Sequence, residues 1–125
     1  MKPTDSELEI LQVLWANGPS TVRQVHDKLS QSREIGYTTA LKLMQIMHEK
    51  GLLTRDEDNR SHTYTAAVDE EATQQSLLDR FVETAFRGSA SKLVMQLLGQ
   101  HKASKEELDE IKNLLNQIDA DHKPR

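Results

Sequence analysis

Between residues 38 and 49, Thr38, Lys42, Gln45 and Glu49 recur at i, i+4, i+7 and i+11, which makes them one stripe along a helix. Three of the four suit base edges. Gln pairs bidentately with adenine, Lys donates to guanine or to a phosphate, and Thr offers a hydroxyl and a methyl. An ordinary solvated helix face carries the same residue types, and Glu49 favours that reading because a carboxylate facing phosphates is repelled. Leu41 and Ile46 flank the stripe, placed either to touch thymine methyls or to pack against a neighbouring element. Arg23, near the start of a predicted helix, is a phosphate candidate helped by the positive end of the helix dipole. Arg60 and His62 follow the acidic turn Asp56-Glu57-Asp58 and suit phosphates too, although a charge-balanced turn accounts for them equally well.

Catalytic constellations are missing. The chain has no Gly-rich phosphate loop, no His pair at metal-binding helical spacing and no nucleophile elbow. Its histidines (His26, His48, His62, His101 and His122) are scattered. With no Cys, disulfides, thiol nucleophiles and thiolate metal sites are excluded. The expectation is a protein that is not an enzyme and needs no cofactor or metal. A net charge of −4 argues against nucleic-acid binding by bulk basicity. Residues 1–68 carry 8 Lys+Arg against 9 Asp+Glu, and residues 69–125 carry 8 against 11. Any nucleic-acid site must therefore be built from a few well-placed groups, duplicated by symmetry.

Three capping boxes mark helix starts. Thr4-x-x-Glu7 opens a helix carrying Leu8, Leu11, Leu14 and Trp15, closed by Asn17-Gly18-Pro19. Thr21-x-x-Gln24 opens a short one with Val22, Val25 and Leu29 on one face. A third helix runs from about Thr38 to Lys50, with Ala40, Leu43, Met44 and Met47 as its core stripe and Gly51 as its stop. Leu52–Arg55 and His62–Thr65 then read as a β-hairpin around a turn-rich segment. From Asp69 onward the pattern is helical again, with one long helix to near Gly88 and a shorter one to near Gly99. Ser104-x-x-Glu107 opens the last helix, where Leu108, Ile111, Leu115 and Ile118 alternate by three and four as in a coiled-coil seam.

The fold expected is mainly α with a small β-hairpin: an N-terminal winged helix-turn-helix over 1–68 and a C-terminal three-helix dimerisation arm over 69–125. In a winged helix the third helix enters the major groove and the hairpin lies along the backbone. Aromatics are only 4% of the chain, so a monomeric core would be thin and dimerisation would recover buried area. Leu77, Leu78, Phe81, Val82, Phe86, Leu93, Val94 and Leu97, with the seam Leu108, Ile111, Leu115 and Ile118, are the residues expected to bury in a homodimer. No apolar run approaches the roughly 20 residues of a membrane span, and MKPTDSELEI does not resemble a secretory signal, so a soluble cytoplasmic protein is expected. A winged-helix adaptor that binds protein rather than DNA is the alternative, kept open by the acidic balance and Glu49.

Several stretches resemble the penicillinase and methicillin-resistance repressors (BlaI/MecI-like). They are Tyr37–Lys42, His48–Leu52, the wing Asn59–Tyr64, Phe86-Arg87-Gly88-Ser89 followed by Leu93-Val94, and both the opening Leu8–Trp15 and the closing Ser104–Leu115. The resemblance implies a dimeric repressor on a palindromic operator, often with TACA/TGTA half-sites, controlling resistance or stress genes. It adds Thr39 to the DNA-contacting residues. It also implies derepression by cleavage in the dimerisation arm, following the action of a membrane-bound sensor protease. The family's Asn-Phe cleavage pair corresponds here to Gln96-Leu97.

Overall fold

A computed structural model describes residues 2–57, 62–100 and 103–122. The chain divides into two compact units, Met1–Leu78 and Asp79–Arg125.

The N-terminal unit is built from α1 (Asp5–Asn17), α2 (Val22–Leu29), α3 (Tyr37–Glu49) and a hairpin of β1 (Leu53–Asp56) and β2 (Thr63–Ala66). Each of the first two helices starts where its capping box places it. The hydroxyls of Thr4 and Thr21 accept from the backbone N–H groups of Glu7 and Gln24. In return the Glu7 and Gln24 side chains accept from the backbone N–H groups of Thr4 and Thr21. Gly18, at φ 79°, ends α1 in the left-handed region that a side chain disfavours. Gly51, at φ 85°, does the same after α3.

The strands pair antiparallel with Leu53 opposite Ala66 and Arg55 opposite Tyr64. A further bridge joins Ser20 to Tyr64 through N–H···O bonds of 2.9 and 2.8 Å, which ties the segment before α2 to the wing. Ile10, Leu11, Val25, Ala40, Met44, Met47, Leu53 and Tyr64 form the centre of the core, so all three helices and the hairpin close on one cluster. Each Ile, Leu, Val or Met among them removes apolar surface from water, worth about 1.5–3 kcal/mol when fully buried.

An ion pair joins the start of α1 to the end of α3. Lys50, at the end of α3, donates to both carboxylate oxygens of the buried Glu7 at 3.0 and 2.8 Å. Burial by itself would raise the Glu7 carboxyl. The bonds from Lys50 and Thr4 outweigh it and hold the group below the ordinary carboxylate value.

The remaining helices are α4 (Glu70–Phe86), α5 (Ala90–Gln100) and α6 (Lys105–Asp121). A capping box at Ser104 and Glu107 starts α6. The α5 helix runs through Gly99 to Gln100, one residue past the stop expected from its glycine. No residue of α4, α5 or α6 is buried. Among the described residues no helix is long and apolar enough to cross a membrane.

Candidate nucleic-acid interface

The roll of α3 about its axis is fixed from inside. Ala40, Met44 and Met47 are wholly buried, so the opposite face must point out. Thr38, Thr39, Lys42 and Gln45 are all exposed there, as is Glu49 one turn beyond. Leu41 is half-buried against the core and also lines the cleft between α3 and the hairpin. Ile46 stays 37% exposed, apolar surface beside the polar stripe.

The entry of α3 is held by α2. His26 Nε2 lies 2.9 Å from the Ile35 carbonyl oxygen, and its ring meets Tyr37 edge-on at 6.0 Å. The Arg23 guanidinium sits 4.5 Å over the Tyr37 ring, a cation–π contact that parks its charge beside the first turn of α3.

Arg55 pairs with Glu57 at 2.6 Å beside the hairpin, and the other cations of this unit differ in what they meet. Arg33 pairs with Glu9 at 3.2 Å and Lys50 with Glu7, both holding the fold together. Arg23 and Lys42 have no carboxylate partner among the described residues, and both belong to the exposed side around α3.

His62 opens β2's side of an exposed cleft of about 320 Å³, lined also by Thr21, Arg23, Tyr37, Gln45, Arg55 and Tyr64. The structure therefore brings Arg23, Gln45 and His62 together, with Lys42, Thr38 and Thr39 along the same helix. Arg60 lies outside the described residues. Sequence reasoning missed Tyr37 and Arg55. Their signal was weak, since an Arg opposite a Tyr becomes visible only once the hairpin register is known. No group of three or more His, Asp or Glu that could hold a metal ion is found among the described residues.

The residues expected at a dimer interface lie on the three later helices. Leu77, Val82, Phe86, Leu93 and Ile111 are half-buried, while Leu78, Phe81, Val94, Leu97, Leu108, Leu115 and Ile118 are exposed. Gln96 and Leu97 are both exposed and sit within the helical backbone of α5.

A model of the penicillinase repressor family matches residues 3–117. The chain belongs to the penicillinase repressor family. The transcriptional regulator BlaI of Mycobacterium tuberculosis is 28% identical over 120 residues, covering 94% of this chain and 86% of the relative. The penicillinase repressor of Bacillus licheniformis is 27% identical over 118 residues, covering 91% and 89%. The solution structure of monomeric Bacillus licheniformis BlaI in complex with the blaP half-operator matches with a TM-score of 0.50 and 25% identity, over 57% of this chain and 87% of that one.

Proposed function

We propose that this member of the family is a transcriptional repressor that binds operator DNA as a homodimer in the cytoplasm. The α3 helix reads the major groove with Thr38, Thr39, Lys42 and Gln45, and Arg23 and His62, with Arg60, meet the sugar–phosphate backbone. The observation that carries this is the exposed stripe on a helix whose other side buries Ala40, Met44 and Met47 and half-buries Leu43. A groove-reading helix needs that division between anchoring and reading faces. The operator complex of the BlaI relative supports it.

Dimerisation through α4, α5 and α6 is supported by their unburied apolar side chains, which a second copy would cover. One subunit would hold only half the contacts, so the tether multiplies affinity by effective concentration. Cleavage between Gln96 and Leu97 by a sensor-triggered protease would cut α5 and dissolve the tether.

The test is selection of duplexes from a random-sequence pool by the full-length chain, followed by Lys42→Ala and Gln45→Ala. Each variant is expected to lose roughly 1–3 kcal/mol of selective binding. Unchanged affinity in both, on a folded protein, removes α3 as the reading element.

A further inference from the structure

The cleft between α3 and the wing has a donor-rich lining that reading of the groove does not explain. Two guanidiniums face it, each laid against a tyrosine. Arg23 lies 4.5 Å from the Tyr37 ring centroid and Arg55 lies 5.9 Å from that of Tyr64. The Tyr37 ring face restrains the planar cation of Arg23 and leaves its N–H edge free to bind.

Arg55 commits only part of its donor set. Its Nη1 donates to the Tyr64 hydroxyl at 3.4 Å and its Nη2 to Glu57 Oε1 at 2.6 Å. Its Nε is buried with no hydrogen-bond partner. A buried donor left unmade is costly, which is a standing demand for an acceptor. Glu57 is 60% exposed, so its carboxylate can turn into water and release the guanidinium.

We infer that this cleft seats one backbone phosphodiester of the bound duplex, with Arg55 and Arg23 as its cations and Glu57 as the anion it displaces. The inference rests on the repressor reading. It fits the position of the cleft, which shares Gln45 with the reading face and His62 with the wing. A phosphate there would bridge the groove-reading helix to the hairpin. The fork of an arginine matches two phosphate oxygens at once. Because the contact is with a phosphate, it adds affinity without sequence preference.

The experiment measures binding of the full-length chain to its selected duplex and to a scrambled one across a salt series, for wild type, Arg55→Met, Arg23→Met and Glu57→Gln. The two arginine variants are each expected to weaken binding to both duplexes by a similar factor and to lower the salt slope, the pair together by about 1 for each phosphate seated. Glu57→Gln is expected to tighten both complexes, because it removes the competing carboxylate and leaves the fold contacts of Arg55 in place. Duplexes with single neutral methylphosphonates locate the phosphate: at one position, neutralisation weakens wild type more than it weakens Arg55→Met.

A folded Arg55→Met with the wild-type slope overturns the assignment. So does a Glu57→Gln that binds no tighter than wild type, and this second result decides the matter even if Arg55→Met fails to fold. A wild-type chain that selects no duplex overturns the repressor reading itself, which separates the two failures.

Discussion

Ile10, Leu11, Met44 and Met47 have no exposed surface, whereas Phe81, Leu97, Leu114 and Leu115 each leave more than half of theirs open. Both regions are helical and both spend their apolar residues at helical spacing. The N-terminal unit closes three helices and a hairpin on one cluster, with a buried ion pair between the start of α1 and the end of α3. The C-terminal unit has no buried residue on any of its helices. One region covers its own apolar surface, and the other leaves apolar side chains exposed. A dimeric repressor would use the first as its reading head and the second as the tether between copies.

The largest test of that contrast is to separate the regions. A fragment ending at Leu78 is expected to melt cooperatively as a monomer and to lose about 100-fold or more in operator affinity, read by anisotropy titration. Full affinity in the fragment would erase the distinction between head and tether.

Core substitution is expected to have the next largest effect. Met44→Ala should cost about 2–5 kcal/mol of unfolding free energy in chemical denaturation, independent of protein concentration. Leu115→Ala should instead move the dimer dissociation constant in sedimentation and leave the melting of the N-terminal fragment untouched. A concentration-independent loss in the Leu115 variant would mean that α6 packs within its own chain.

The Glu7–Lys50 pair sharpens the comparison through pH. The folded carboxyl titrates below its ordinary value of 4.5, so its contribution is present above that value and is lost as pH falls through the lower, folded one. Glu7→Gln should cost roughly 1–3 kcal/mol near neutral pH and should flatten the acid limb of the stability curve. An unchanged acid limb would remove this pair from the account. The smallest effect belongs to the α6 cap, where Ser104→Ala should cost about 0.5–2 kcal/mol, read as lost helicity or a weaker dimer.

Local signals were legible in the sequence because they need only neighbours along the chain. The boxes at Thr4, Thr21 and Ser104 all form, and the glycines at 18 and 51 end their helices. The stripe of Thr38, Lys42 and Gln45 followed from helical period alone. Long-range pairings were not legible. Glu7 reads as a capping residue until Lys50, 43 positions later, folds onto it. The Ser20–Tyr64 bridge and the Arg55 cleft depend on hairpin register and on how the wing meets α2, and neither leaves a local pattern.

The most direct measurement of the central claim is an anisotropy titration of the full-length chain against its selected duplex and a scrambled control, at several salt concentrations, with the stoichiometry determined. The account predicts tight, selective binding by two chains per duplex, with a steep loss of affinity as salt rises. Weak binding, equal for both duplexes, would contradict it.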